Sequence, residues 1–484
     1  MEILRLAFNK VFTFFMVITM LLLISCDQII EEPIPIIEIN KGFSIQLTAP
    51  SGVTWESNNP TVATVSSTGL VTALKVGNAT ISTYSSNGVR NIVCYLEISP
   101  KRTILMYIGA DTNGLDNGSA GDEPKKQINE IRKGWQPGKG ELLIYTDQTN
   151  RKPCLLRINE TLNADGIYGI DTVHVYNEEH NSADADILSE VIHRVVSEYP
   201  ADSYGMIFFS HASGWLPEGM LLYPKSLVVD KGDGTRHEME YDAFAAAIPD
   251  HLFDFIIFEG CFMADVICMY ELRNKTKYAL ASSAEIVSPG FTYIYKDEIM
   301  GLFDTKKPVE SIVTGFGQAY TDLIKSIPEN DVNCSTTLGV IKLSEMDNLA
   351  AIVKVILDGK SMDESTLTVD SIQRFDRPAS NNLNLILSGE RKSRYFDLGH
   401  VIENLVTPAQ YTMFATLMDK TVVWKANTNR FLLGNLSNGS PNYSQYDGFF
   451  IKRHSGLSTY IERDAYPILN DAYKESSWYK AITP

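Results

Sequence analysis

Three hydrophobic patterns follow one another along the chain. The first is an apolar run over residues 11–24, preceded by Arg5 and Lys10. It is shorter than the roughly 20 apolar residues that a membrane-crossing helix needs. The second covers residues 36–100, where short β-type runs (FSIQLTA, VATV, LVTAL, NATISTY, NIVCYLEIS) are separated by Gly, Asn and Ser turn signals. Runs of that length and spacing predict a small all-β sandwich. From Lys101 to the C-terminus the third pattern alternates short, wholly apolar runs with amphipathic ones, which predicts an α/β domain built on a mainly parallel sheet with helices on both faces. The predicted strands are 103–109, 141–145, 205–210, 253–258, 278–282 and 337–342. The segment DADILSEVIHRVVSE (184–198) places Ile187, Val191, Val195 and Val196 on one helical face. Beyond about Met346 the pattern is mixed and helix-rich.

Composition narrows the partners. With 59 acidic against 42 basic side chains the formal charge is -17, and no Lys/Arg stripe interrupts it. That argues against nucleic acid and against docking on acidic lipid, and favours a neutral or basic partner. The N-terminal run has the layout of a secretory signal. Its end, Leu23-Ile24-Ser25-Cys26, resembles a bacterial lipobox, so residues 1–25 are expected to be removed and Cys26 to carry a lipid anchor. Residues 26–35, acidic and proline-bearing, then read as an extended tether. These expectations place the chain in the bacterial cell envelope, lipid-anchored to the outer membrane on its periplasmic or outer face. Of the six cysteines, five remain after Cys26, so at least one thiol has no disulfide partner within the chain. Their spacing matches no zinc site.

Two predicted strands run straight into reactive residues: GMIFFS into His211 and FDFIIFEG into Cys261. Sites in open α/β sheets form outside the carboxyl ends of the strands, so neighbouring strands would present both side chains in one crevice. There an imidazole takes the thiol proton or stabilises the thiolate, lowering a cysteine pKa from its usual value of about 8.5. Taken singly, each residue has a plainer reading: a strand-end cysteine is usually a small buried hydrophobe, and a strand-end histidine often bonds a carbonyl. The gap of about 50 residues matches that of the caspase His and Cys, a weak filter by itself.

Residues 53–82 resemble the bacterial Ig-like repeat family through Trp55, Asn59-Pro60, the run Val62-Ala63-Thr64-Val65, Gly69 and Gly77. The module reads as a spacer more readily than as an adhesin. From about Arg102 onward, YIGADTNGL, SHASGWLPEG, FDFIIFEGCFMADVICMYELRNKT and ASSAEIVSPGFTY resemble, in order, the blocks of clostripain-like cysteine peptidases, relatives of caspases, legumains and gingipains. The resemblance implies a caspase-like α/β fold over 101–484 and an endopeptidase acting on protein or peptide substrates. It implies His211 and Cys261 as the catalytic pair, backbone N–H groups near Ala212 and Gly260 as oxyanion donors, and cleavage after Lys or Arg. Glu259 is the implied carboxylate of the P1 pocket, with Glu285 as a second acid and Ser210 and Trp215 shaping the cleft. Asp111 and Asn113 read as caps of the next helix, Cys268 as core, and Asp397 with His400 as a helix start. The sequence departs from the family pattern, which has Gly after the histidine and Asp-Ala before the cysteine, where this chain has Ala212 and Glu259-Gly260. Those departures keep an alternative open: a weak or inactive caspase-like binding protein at the cell surface. Some relatives cut themselves between His and Cys, which points to Lys225. Some depend on calcium, but residues 230–242 lack EF-hand alternation, so calcium stays open and no other cofactor is implied.

Overall fold

The structure, a computed structural model, describes residues 33–111, 115, 122–149, 151–177, 180–217, 227–230, 237–376, 393–432 and 448–483. Cys26, Asn113 and Lys225 lie outside these residues. Among the described residues, nine strands form one large sheet. In chain order they are β1 (Arg102–Gly109), β2 (Glu141–Asp147), β3 (Cys154–Leu162), β4 (Tyr168–Val175), β5 (Ser203–Ser210), β6 (Phe253–Glu259), β7 (Thr276–Ser282), β8 (Thr337–Lys342) and β9 (Val422–Asn427). Across the sheet the order is β4-β3-β2-β1-β5-β6-β7-β8-β9.

The centre, β2-β1-β5-β6-β7, is parallel. Antiparallel pairs extend it on both sides, so the sheet as a whole is mixed. The six strands read from the sequence are all present, because wholly buried parallel strands leave continuous apolar runs. β3, β4 and β9 were not foreseen; they lie toward the edges, where partial exposure dilutes the pattern.

Alternate residues of the central strands feed two cores. Ile104, Met106, Ile207, Phe255 and Ile257 face the helices α1 (Glu123–Gly134) and Val309–Lys325. Leu105, Tyr107, Met206, Phe208, Ile256 and Phe258 face the other layer, which includes Ala185–Glu198 and Met346–Ile356. Asp184 caps the first of these by accepting from the Asp186 amide at 2.8 Å, and Leu188, Val191, Ile192 and Val195 are its buried face. Asp111 does not cap α1: Asp122 does, accepting from the Lys125 amide at 3.0 Å, while Asp111 accepts from the Thr149 hydroxyl at 2.7 Å. Asp397 does start its helix, accepting from the His400 amide at 2.8 Å.

Residues 36–99 form the expected β-sandwich, a four-stranded sheet over a three-stranded one. Trp55 is only partly buried and packs over Gly69, whose φ of +85° and contact with the indole leave no room for a Cβ. The sandwich docks on the end of the α/β unit where the parallel strands begin. Lys41 Nζ meets Asp202 at 2.7 Å, just before β5, and Lys306 Nζ meets Glu38 at 2.7 Å and Glu97 at 2.8 Å. The opposite rim, where the parallel strands end, is left clear of it.

Candidate active site

β5 and β6 are adjacent, parallel and paired rung for rung up to Phe209 and Glu259. His211 and Cys261 each come two residues later, so they leave neighbouring strands, about 4.8 Å apart, at the same height. Both are half-buried. Short contacts hold together the segments that follow the two strands. A Cβ built on Gly260 would lie 3.0 Å from the Ala212 Cβ, and one built on Gly214 (φ +59°) would lie 2.6 Å from the Phe262 carbonyl oxygen. The segments that follow the two strands are therefore packed backbone against backbone.

Phe262, the residue after the thiol, has φ of +60°. A bulky side chain rarely takes that conformation, and such outliers gather where a turn holds a functional group in place. Here the turn is tied to the end of β7: the Phe262 amide donates to the Ala284 carbonyl and the Ala264 amide to the Ser282 carbonyl, both at 2.9 Å. The Phe262 ring stacks on Tyr395 with ring centres 4.3 Å apart. The Tyr395 hydroxyl donates in turn to the Ser213 carbonyl. One tyrosine from the C-terminal third thus joins the turn after Cys261 to the loop after His211. Tyr395 lies in RYFDLGHV, read from the sequence only as a helix start, and its link to the nucleophile turn depends on the tertiary fold.

Other expected site residues fall differently. Ser210 donates from its hydroxyl to the Gly109 carbonyl at 2.6 Å and is buried. Trp215 is wholly buried against Tyr460 and Tyr473, so it supports the cleft from below. Cys268 is a core thiol, pushed well above its ordinary pKa by burial.

Glu259 is only 3 % exposed. One carboxylate oxygen accepts from Gln127 Nε2 at 2.9 Å and the Phe291 amide at 2.6 Å, and the other accepts from the Tyr295 hydroxyl at 2.7 Å. Burial raises its pKa to about 8, with those bonds opposing the rise. This corrects the expectation of an open, cation-receiving carboxylate. The longer arm of Glu reaches under the rim and anchors the Gly290–Phe291 turn. Glu285, three residues beyond β7, stays half-buried.

A second acidic feature escaped the sequence reading. Asp147, ending β2, and Asp230 both accept from the Ser182 amide, at 3.2 and 2.8 Å, and both are buried. Burial, then the hydrogen bond with Asp230, raise the Asp147 pKa far above the ordinary carboxylate range. The pair fastens residues 227–230 to the rim, where Val228 lies over Gly109. Among the described residues no group of three or more His, Cys, Asp or Glu is arranged to hold a metal ion.

The two folded units have counterparts among known proteins. The model of the clostripain family (peptidase C11) matches residues 115–483, and that of bacterial Ig-like domain, group 2, matches residues 43–94. An inactive zymogen C11 protease from Parabacteroides distasonis is similar at 27% identity and TM-score 0.64, covering 80% of this chain and 99% of its own. A secreted C11 cysteine protease from Bacteroides thetaiotaomicron, solved with an irreversible peptide inhibitor, is similar at 26% identity and TM-score 0.62, covering 79% and 99%. No curated protein gives a significant match.

Proposed function

The chain belongs to the clostripain family and is a cysteine peptidase, and from that premise we propose that it is an endopeptidase in which Cys261 and His211 form the dyad and cleavage follows Lys or Arg. The observation that carries this reading is the exit of the two residues from paired strands at one height, beside the constrained turn at Phe262.

In the proposed reaction the Cys261 sulfur attacks the scissile carbonyl carbon, and the charge on the oxygen is met by backbone N–H groups at Ala212 and Gly260. Collapse breaks the C–N bond while His211 gives its proton to the leaving amine. The resulting thioester is opened by water, whose proton returns through His211. A basic P1 side chain is met by Glu285, on the half-exposed ground past β7, with Glu259 holding the turn behind it. A charge-assisted hydrogen bond of about 1.5 to 3 kcal/mol corresponds to one to two orders of magnitude in preference.

Similarity to a zymogen supports activation by a cut in the segment between the dyad residues, with Lys225 as the proposed site. Similarity to a secreted protease, together with the N-terminal pattern, supports export and lipid attachment through Cys26 in the cell envelope. The docked sandwich then acts as a stand that turns the catalytic rim away from the N-terminal tether.

An acyloxymethyl ketone probe with a basic P1 is expected to label the wild type and not Cys261→Ala; labelling that survives the substitution removes the dyad. The alternative, a surface binding protein with a disabled peptidase fold, expects no release from any Lys or Arg amide under reducing conditions.

A further inference from the structure

A cationic hollow lies among the described residues on the rim where the parallel strands end. It lies between α1 and strands β2 and β3, has a volume of about 310 Å³, and is lined by Lys125, Arg132, Arg151 and Lys152 over a floor that includes Ile128. Among the described residues no Asp or Glu lines it, although acids outnumber bases 59 to 42 in the chain as a whole. Arg151 has a counter-ion outside the hollow, Asp122 at 2.9 Å. Arg132 donates to neutral oxygens, those of Tyr168 and Asn129, and has no ion pair among the described residues. Among the described residues Lys125 has no ion pair.

Thr146 provides an independent observation. It lines the same hollow, is 6 % exposed, and among the described residues its buried hydroxyl has no hydrogen-bond partner. Buried hydroxyls are normally satisfied, and one left open among cations is suited to a ligand oxygen.

The strand registers locate the hollow relative to the dyad. Thr146 pairs with Ile108, Ile108 with Phe209, and Phe209 with Glu259. Thr146 therefore stands on the same rung as Glu259, three strands away on the His211 side. Three steps of about 4.8 Å make about 14 Å, which an extended peptide covers in four or five residues at about 3.3 Å each.

We infer that this hollow is an anion subsite of the peptidase groove, taking a carboxylate side chain of the substrate four or five residues from the scissile bond on the His211 side. The inference rests on the peptidase reading for the identity of its ligand. Lys125 and Arg132 supply the charge, and Thr146 donates to a carboxylate oxygen.

Binding separates this idea from catalysis. Fluorescent peptides with a central Lys, carrying Glu or Gln four or five residues away on either side, are titrated by anisotropy against the full chain bearing Cys261→Ala. The Glu peptides of one polarity are expected to bind about tenfold more tightly than their Gln partners, as one charge-assisted bond allows. The difference is expected to shrink at 0.5 M salt, to vanish in Lys125→Glu, and to weaken in Thr146→Val. Equal binding of Glu and Gln peptides, or a Glu preference unchanged in Lys125→Glu, overturns the subsite. So does binding of free phosphate or acetate with no preference among peptides. If the wild type cleaves no Lys or Arg amide while the Glu preference and its loss in Lys125→Glu persist, the peptidase reading falls and the anion site stands.

Discussion

The Ala212 methyl faces Gly260 across the gap between the two strand ends: a Cβ on Gly260 would be only 3.0 Å from it. The two departures from the family pattern that bear on the backbone, Ala after the histidine and Gly before the cysteine, are thus one exchange across one contact. The Ala212 methyl fills the space beside Gly260, where a second methyl would be crowded. The sequence alone set these residues 48 positions apart and made each look like a loss.

Gly260→Ala is expected to place two methyls in that contact, to destabilise the chain by about 1 to 3 kcal/mol and to lower kcat. Ala212→Gly made in the same chain is expected to restore most of both. A double-mutant cycle on thermal stability and on amide hydrolysis measures the coupling. Additive effects would mean that the two positions do not share the space.

Gly214→Ala strikes the nucleophile turn from the histidine side. The new Cβ would sit 2.6 Å from the Phe262 carbonyl oxygen, at a φ of +59° that favours glycine. The expected outcome is a fall in kcat with little change in KM for a small Lys amide, because the turn carrying Cys261 shifts while the groove does not. An unchanged kcat in a folded variant would show that the turn tolerates the shift.

The two candidate acids separate by substitution. Glu285→Gln is expected to reduce the preference for Lys and Arg over neutral P1 residues by one to two orders of magnitude in kcat/KM. Glu259→Gln is expected to leave that preference largely intact. Loss of basic selectivity in Glu259→Gln, with Glu285→Gln unaffected, would return the pocket to the buried carboxylate.

Glu259 also ties stability to pH. Its folded pKa is raised from 4.5 to about 8 by burial, so the native chain keeps a proton that the unfolded chain has released. The stabilisation is fully present below pH 4.5 and is lost as the pH rises through about 8. Urea unfolding of Glu259→Gln at several pH values across this window is expected to show a flatter decline than the wild type. Parallel profiles would mean that Glu259 is ionised throughout.

Lys306 bridges Glu38 and Glu97 of the β-sandwich at 2.7 and 2.8 Å while 40% exposed. Exposed pairs contribute about 0 to 1 kcal/mol each, so Lys306→Ala is expected to leave the peptidase activity unchanged and to broaden the distribution of inter-domain distances in solution scattering. High salt is expected to act in the same direction on the wild type.

Legible in one dimension were the all-β and α/β units and the six strands with continuous apolar runs, two of which lead straight into His211 and Cys261. A buried strand must be apolar along its whole length, and a reactive residue at its carboxyl end is readable from one dimension. Only the tertiary structure decided that Glu259 turns under the rim to Tyr295 and the Phe291 amide, that Asp147 and Asp230 meet over Ser182, and that Tyr395 braces the turn after the thiol. Those contacts join residues from distant segments, and whether a carboxylate is open or buried depends on what packs over it. The same holds for Ala212 and Gly260, whose fit is a property of two strands side by side.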